Sequence, residues 1–438
     1  MLFVGFLLRL DRKEFPEASR ALWLPSVWML IAASRALGLW LGSGVEAEEA
    51  GSFYDRAFQI GALAIGLIIL KRRQFRWLRA IRQNKVIMVL VGYMLVSVLW
   101  SDIPFTSFKR WVREFVAVTM AFMVATEVKP HAALEAVLRR TIYILIPFSL
   151  SIIQYYPKVG THYMAWADEI MWLGVAGHKN GLGRLCLFAM LILAWRIGRR
   201  WYGGVSVSVP YLIHIEVALF AIALYLFMGP KHSIVYSATS AVSLAAGFGL
   251  LGYLSWLKWR KRAIGENVLM LMFGAVFIYA VVTPFAGRLS IIDLSSFLGR
   301  SETLTGRASN WEVLVPYAME TAICGLGFGA YAKEMTPHNG PLMVILNLGF
   351  VGLFLFAMFL LSSVRRARRA MNKDFGWGAI WVCLLFSACL HNVAESTIAS
   401  FGGHLAATLL FFYISATPCN YSGDCEEKGA PGRKRVAF

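Results

Sequence analysis

Charged residues are scarce in this sequence, and acidic residues are the scarcer kind. Only 16% of the 438 residues are charged, with 25 acidic against 43 basic residues, while 58% are hydrophobic. A soluble domain carries about 25% charged and about 45–50% apolar residues. Many apolar stretches here reach the roughly 20 residues that cross about 30 Å of hydrocarbon. These values exclude an ordinary soluble domain and predict an all-α polytopic membrane protein, with residues 1–438 forming one membrane domain.

Metal-binding patterns, internal repeats and a cleavable leader are also lacking. Cys186, Cys383 and Cys389 lie in apolar segments, where cysteine behaves as a small hydrophobic residue. Cys419 and Cys425 complete no tetrahedral zinc set, and no carboxylate or histidine cluster fits a divalent ion. The sequence therefore predicts no metal and no cofactor. No repeat is visible, which disfavours a transporter of two related halves. The opening MLFVGFLLRL is too short to span and has no small-residue cleavage site, so it is compatible with an interfacial anchor.

Apolar segments predict about twelve transmembrane helices. The predicted spans cover residues 22–42, 52–70, 86–100, 110–127, 138–156, 181–199, 209–228, 233–255, 267–285, 341–363, 377–393 and 399–416. The first two are interrupted by charged residues. A long polar loop, 286–340, separates spans 9 and 10, and 417–438 forms a tail.

The basic residues predict the orientation of these spans. Cytoplasmic loops are enriched in Lys and Arg. With the N-terminus inside, the even-numbered connections, the tail and the N-terminal segment hold 30 of the 43 basic residues. Both termini are therefore predicted to be cytoplasmic, and loop 286–340 lies on the outer, periplasmic side. Most of the net charge of +18 is then an orientation signal, which gives no support to nucleic-acid binding.

The basic residues left over lie on the outer side or within spans. Arginine at bilayer depth costs about 2.5–3.5 kcal/mol even on a lenient scale, so it usually faces a cavity or a partner. Few acidic residues are available there to pair with these cations. The excess of outer-side cations predicts an anionic ligand at the outer leaflet. These cations are Arg35, Arg56, Lys109, Arg110, Arg113, Lys158, Lys179, Arg184, Lys231, Arg288, Arg300, Arg307 and Lys333.

Two motifs precede helix starts. In WSDIPFTSFKRWVREF, Arg110 and Arg113 lie three residues apart on one face near a helix N-terminus. They are candidates for phosphate contact, and the alternative is anchoring of a helix end at the interface. In GHKNGLGR, His178, Lys179 and Asn180 precede a span that Arg184 enters. This motif is a candidate binding loop, and the alternative is a helix-capping turn.

The remaining candidates lie in outer turns. Lys231 of MGPKHS is a binding candidate, whereas the serines that follow it are typical packing residues between helices. Loop 286–340 contains Arg288, a helix predicted to begin near Thr305, the turn GLGFG, and PHNG directly before a span. Histidine can act as a general base near neutral pH, but an interfacial histidine is more often a polar tip. In HNVAES, His391 and Glu395 could pair with each other or with Arg35.

The order of these motifs resembles one known superfamily. WSDIP, GHKNGLG, TLTGRASNW, GLGFG and HNG before a span are similar to motifs of the O-antigen ligase and Wzy-type polymerase superfamily. The similarity is strongest to succinoglycan-type exopolysaccharide polymerases and covers residues 99–400. It implies a metal-independent glycosyltransferase at the periplasmic face of the bacterial inner membrane. The implied donor is a glycan linked through pyrophosphate to undecaprenol, with a flippase and a chain-length regulator as possible partners.

The resemblance also implies roles for particular residues. By motif match, Arg307 would hold the pyrophosphate, and His338 would be the base for the acceptor hydroxyl. Further candidates for pyrophosphate or glycan binding are Arg110, Arg113, His178, Lys179, Asn180, Arg184, Lys231, Arg288 and Asn339. Guanidinium groups bind phosphate oxygens in bidentate geometry, so charge alone could stabilise the leaving pyrophosphate. Two alternatives stay open: a ligase that transfers a lipid-linked glycan to lipid A core or protein, and a twelve-span transporter.

Overall fold

The computed structural model describes residues 2–42, 52–164, 169–202, 212–231, 237–286, 302–331 and 335–416. The described chain is almost entirely helical. Its first helices are α1 (Leu2–Glu14), α2 (Trp23–Ala32), α3 (Leu37–Trp40), α4 (Phe53–Arg72), α5 (Trp77–Gln83), α6 (Lys85–Val96), α7 (Pro104–Ala125), α8 (Pro130–Tyr155) and α9 (Pro157–Gly160). After a hairpin come α10 (Lys179–Tyr202), α11 (Leu212–Met228), α12 (Ala238–Trp259), α13 (Glu266–Ala286), α14 (Glu302–Glu320), α15 (Gly340–Lys373), α16 (Phe375–His391) and α17 (His404–Ser415).

The hairpin is the only β-sheet in the described residues. Strands β1 (Thr161–Met164) and β2 (Glu169–Trp172) pair antiparallel, with Thr161 opposite Trp172. The sequence analysis predicted no strand between spans 5 and 6. The exposed Tyr163 and Ile170 show why the segment carries no burial pattern that could have indicated one.

A helix lies at each of the twelve predicted span positions. Six helices of the described chain are long and apolar enough to cross a membrane. A seventh is obtained if Trp77–Gln83 and Lys85–Trp100, bent by 102°, form one span. Four others are apolar but shorter, namely Arg20–Ala32, α11, α16 and α17. The structure therefore supports an all-α membrane protein, whereas the number twelve stays a prediction.

Helix α10 lies at the centre of the bundle. It packs against α11, α12 and α16. Every residue from Leu185 to Leu193 is buried, so the helix is covered on all sides. In contrast, α4 exposes Ile60, Ile65 and Ile68 to the surroundings. This helix has 20 residues and an exposed apolar face, so it is suited to contact lipid.

One end of α10 carries a buried ion-pair network. Arg196 binds both Glu14 and Glu216, at 2.9 and 2.7 Å. Arg200 also binds Glu216, and Tyr143 donates its hydroxyl to the same carboxylate. Asp11 of α1 forms ion pairs with two arginines of α8, Arg139 and Arg140. The sequence predicted these arginines only as orientation charges and did not predict their pairing. Arg139, Arg140 and Arg196 are buried and paired, so removal of one partner would leave an uncompensated charge.

Helix α15 is broken at Gly349. Gly349 has φ +64°, and the amide of Phe350 donates to the carbonyl of Ala322 at 2.7 Å. The amide of Leu326 donates to the carbonyl of Leu346 at 3.0 Å. The GLGFG turn and Ala322 shortly before it therefore bind backbone groups that the break releases. It is a packing turn against α15, and the break sets the direction in which the N-terminal part of α15 approaches the site.

Candidate functional site

Asn339 attaches the PHNG segment to three elements. Its Oδ1 accepts the amide of Leu342 at 2.8 Å, which caps the N-terminus of α15. Its Nδ2 donates to the carbonyl of Ala280 in α13, at 2.9 Å, and to that of Val393, at 3.0 Å. Asn339 is fully buried. The residue predicted to bind substrate is therefore a structural cap, and its contacts fix the position of the preceding His338.

His338 adopts a backbone conformation that is unusual for a side chain other than glycine. Its φ is +45°, in the left-handed region. The neighbouring contacts hold it there, because Gly340 donates its amide to the carbonyl of Asn392 at 2.9 Å. A strained conformation that the surroundings over-determine is common at functional sites. The result is an imidazole that projects from a rigid segment, with 35% of the side chain exposed.

Helix α14 holds the same segment from the other side. The indole of Trp311 donates to the carbonyl of Pro337 at 2.7 Å, and Asn310 donates to the carbonyl of Thr336 at 3.3 Å. Trp311 is only 2% exposed. Arg307 lies four residues before Trp311, so both side chains lie on one face of α14. The contact of Trp311 with Pro337 therefore places Arg307 beside His338.

Glu395 joins these elements. Its Oε1 accepts Nη2 of Arg307 at 3.0 Å and Nδ2 of Asn180 at 2.8 Å. Its Oε2 lies 3.2 Å from Nδ1 of His338. The other ring nitrogen of His338, Nε2, lies 2.7 Å from the hydroxyl of Thr336. We call Asn180, Arg307, His338 and Glu395 the Glu395 cluster. It assembles residues from α10, α14, the segment before α15 and the segment after α16.

The charge of the Glu395 cluster is well defined. Burial on its own would raise the pKa of Glu395, but the hydrogen bond from His338 and the Arg307 guanidinium outweigh it and lower the pKa to about 2. Burial lowers the pKa of Arg307, and Glu395 opposes this change. An ionised Glu395 can only accept a hydrogen bond, so Nδ1 of His338 carries the hydrogen that it donates and Nε2 keeps a free lone pair. The cluster therefore presents a carboxylate-oriented imidazole next to a guanidinium.

The residues of the GHKN motif have two different roles: one caps a helix, and another belongs to the Glu395 cluster. Nδ1 of His178 accepts the amide of Gly181 at 3.0 Å, so His178 caps the start of α10. Asn180 binds Glu395, as described above. Lys179 is the first residue of α10 and is partly exposed. The capping alternative is thus observed for His178, whereas Asn180 belongs to the cluster.

Arg184 follows Asn180 by one turn of α10 and faces the same region. Its charge acts on Glu395, His178 and His391. Within the described residues its guanidinium makes no hydrogen bond or ion pair with a protein group. Arg184 is half-buried at the start of a membrane helix, where an arginine usually faces a cavity or a partner. Arg184 therefore has donors to offer to an anion that would lie near the cluster.

Arg110 and Arg113 line a neighbouring cavity of about 460 Å³. Arg110 donates to the carbonyl of Gly329 in the GLGFG turn. Glu114 also lines the cavity and accepts the hydroxyl of Ser400 at 2.6 Å. Ser396, the residue after Glu395, lines the same cavity and donates to the carbonyl of Asn339 at 3.2 Å. The cavity and the Glu395 cluster thus lie on either side of one short segment.

Lys231, a predicted site residue, is not brought to the cluster. Lys231 forms an ion pair with Glu169 of the hairpin, and both side chains are solvent-accessible. Its predicted binding role has no support from this position. Arg288 lies outside the described residues, as do Arg300 and Lys333. The described residues contain no group of three or more His, Cys, Asp or Glu side chains placed to hold a metal ion.

Glu395 and Trp311 were missed as site residues by sequence reasoning. Glu395 was considered as a partner of Arg35, but Arg35 donates to the carbonyls of Val159 and Gly174, at 2.8 and 3.0 Å. His391 binds Thr397 at 2.7 Å and Ser240 at 3.2 Å, so it does not pair with Glu395 either. The sequence did contain a signal for Glu395. It is a carboxylate at the end of an apolar segment, and an ionisable group there needs a partner.

No protein-family model matches the chain, and no curated protein is similar to it in sequence.

Proposed function

We propose that this protein polymerises oligosaccharide repeat units, carried on undecaprenyl pyrophosphate, into an exopolysaccharide. The observation that carries the proposal is the contact of His338 and Arg307 with one carboxylate, Glu395. These two residues are the pair to which the family resemblance gives the roles of base and phosphate ligand. The twelve-span topology with cytoplasmic termini and a periplasmic site in a bacterial inner membrane belongs to the same proposal.

His338 acts as the general base in this mechanism. Glu395 holds the proton at Nδ1, so Nε2 is available to accept a proton from the acceptor sugar hydroxyl. Thr336 now fills that position, and the acceptor hydroxyl would replace it. The acceptor oxygen attacks the anomeric carbon of the donor. The bond between that carbon and the phosphate oxygen breaks, its electron pair stays on the pyrophosphate, and the acceptor proton moves to Nε2.

Arginines stabilise the leaving pyrophosphate. Arg307 uses Nη2 for Glu395. Its other guanidinium nitrogens make no hydrogen bond within the described residues, so they can bind phosphate oxygens. Arg184 offers a second guanidinium from α10. Arg110 and Arg113 lie in the adjoining cavity and can bind a more distant part of the donor or acceptor. Preorganised donors of this kind contribute about 2.7–4 kcal/mol each to a transition state, by analogy with single-donor deletions.

The two alternatives differ in what they require of the molecule. A ligase would use the same donor chemistry and differ only in its acceptor. A transporter would place its buried charges near the middle of the helices. Here the polar side chains of α10 form two groups, Asn180 with Arg184 and Arg196 with Arg200. The two groups lie near opposite helix ends, about 24 Å apart along the axis at 1.5 Å per residue. This separation favours a site at one membrane face.

The test supplies purified protein with lipid-linked repeat units and follows product length on gels. We expect a ladder from wild type, and no ladder from His338→Ala or Arg307→Ala at equal protein level. His162→Ala and Arg56→Ala are matched controls, because both residues are exposed and lie outside the cluster. Wild-type ladders from both site variants would refute the assignment. A single transfer to a different acceptor, without a ladder, would favour the ligase.

A further inference from the structure

A second cavity lies at the end of the bundle away from the Glu395 cluster. It has a volume of about 590 Å³ and is lined by Gln83, His131, Arg366, Arg369, Ala370, Asn372, Lys373, Asp374 and Ala416. Asp374 precedes α16 and Glu395 follows it, so the 17-residue helix separates the two sites by about 25 Å. The volume lies within the roughly 300–1,000 Å³ of small-ligand sites. The proposed function makes no use of this cavity.

The charge of the lining is strongly unbalanced. Arg366, Arg369 and Lys373 are permanent cations, and Asp374 is the sole carboxylate among the lining residues. Both oxygens of Asp374 are occupied. Oδ1 accepts the amide of Trp377 at 3.1 Å, and Oδ2 lies 3.5 Å from Nη2 of Arg199. The carboxylate of Asp374 therefore caps α16 and contacts Arg199. The cavity keeps a net positive charge.

The three basic residues of the lining differ in their contacts with the protein. Arg366 is held by Asn84 and by the carbonyls of Gln83 and Tyr413, at 2.6–2.8 Å, and its guanidinium lies 3.8 Å above the ring of Tyr413. It forms a rigid wall. Arg369 and Lys373 lie one turn apart on the same helix, and neither has a hydrogen bond or ion pair with another described residue. These two side chains are available to a ligand.

The lining also contains an acceptor that needs a donor. Oε1 of Gln83 is buried and has no hydrogen-bond partner within the described residues. A buried acceptor without a donor is destabilising, so a ligand that supplies a hydroxyl would satisfy it. The ligand chemistry that fits is thus an anion for Arg369 and Lys373 with a hydroxyl group beside it.

We propose that this cavity binds a phosphate ester that carries a free hydroxyl, with Arg369 and Lys373 as the phosphate ligands. A glycerophosphate group has this chemistry. It could come from the headgroup of an anionic lipid or from a soluble ester. The observations that carry the proposal are the cavity, its uncompensated cations and the unpartnered Gln83 acceptor.

The test uses the full-length protein in two arms. In the soluble arm, calorimetry measures binding of glycerol 3-phosphate to protein in uncharged detergent. In the lipid arm, native mass spectrometry measures retention of phosphatidylglycerol from mixed vesicles with phosphatidylcholine. We expect binding in at least one arm, and a loss of about tenfold or more in the Arg369→Gln/Lys373→Gln variant. Binding in the first arm identifies the soluble source, and binding in the second alone identifies the lipid.

A matched double variant separates the site from general charge. Arg262→Gln/Arg365→Gln removes two exposed arginines from the same end of the bundle, and neither residue lines the cavity. We expect this variant to bind like wild type. Absence of binding in both arms would overturn the proposal. Equal binding by wild type and the Arg369→Gln/Lys373→Gln variant, or equal loss in both double variants, would overturn it too.

Discussion

The Oε2 atom of Glu395 lies 3.2 Å from Nδ1 of His338, although 57 residues separate them in sequence. The other oxygen of the same carboxylate accepts Arg307 and Asn180. A residue with a partner at each oxygen acts on the site through those partners. Glu395 is therefore a positioning residue in the proposed mechanism, and changes to it should affect the function of His338 and Arg307 together.

We expect Glu395→Gln to lower polymer formation by about a hundredfold or more, the scale of a lost general base. The amide keeps the size of the side chain, but it cannot hold the Nδ1 proton of His338 as a carboxylate does. The measurement is the initial rate of ladder formation per folded molecule across a range of acceptor concentrations. Glu312→Gln is the control, because Glu312 is an exposed acidic residue on α14.

The positioning role predicts more than a loss of folded protein. The rate per folded molecule should fall in Glu395→Gln even at saturating acceptor, because His338 and Arg307 lose the carboxylate that positions them. A purely structural role would lower the amount of folded protein and leave the rate per folded molecule unchanged. A wild-type rate per folded molecule would contradict the role assigned to Glu395.

We expect the protein to lose stability as pH falls from about 4.5 to about 2. The pKa of Glu395 is lowered from 4.5 to about 2 in the folded protein, so its stabilising contribution is complete above 4.5 and is lost toward 2. A shift of this size corresponds to a contribution on the order of 3 kcal/mol. Glu14 behaves alike, since Arg139, Arg196 and Arg200 outweigh its burial and lower its pKa to about 2.

The measurement is the thermal unfolding midpoint in detergent as a function of pH. Glu395→Gln should have a lower midpoint at neutral pH and a smaller further decrease below pH 4.5. Glu266→Gln is the control, because Glu266 is exposed and pairs only loosely with Arg365, at 3.5 Å. Parallel pH curves for wild type and Glu395→Gln would contradict the lowered pKa.

We expect Trp311→Phe to reduce activity more than it reduces stability. The change removes the 2.7 Å hydrogen bond to the carbonyl of Pro337, which contributes about 0.5–1.5 kcal/mol to stability. The PHNG segment would then be held less firmly, and a small displacement of His338 lowers the rate strongly. Activity per folded molecule and the unfolding midpoint should be measured together. Trp256→Phe, at an exposed position on α12, should change neither.

We expect Gly349→Ala to destabilise the protein by several kcal/mol. Gly349 has φ +64°, which costs about 1–3 kcal/mol for other residues, and an added Cβ would overlap the backbone of Ile323 and Cys324. Gly274→Ala is the matched control, because Gly274 lies inside α13 with open space around it and should tolerate alanine. Similar unfolding midpoints for the two variants would show that the break in α15 is not required.

The sequence alone predicted where the helices lie. An apolar segment of about 20 residues is a local property, so each of the twelve positions could be found without knowledge of its neighbours. Capping was one of the two alternatives for GHKN, and His178 does cap α10, whereas Asn339 was predicted to bind substrate and is a cap instead. His338 and Arg307 were named from motifs that are also local.

Only the tertiary structure decided which of these residues meet. The partner of Glu395 could not be read from spacing, because Asn180, Arg307 and His338 come from three separate elements. The pairing of Arg196 with Glu14 and Glu216 was hidden for the same reason, since the sequence indicated only the contribution of Arg196 to the orientation. Charge pairing depends on distance in space, and helix packing sets that distance. Composition and local order determine the helices, whereas packing determines the site.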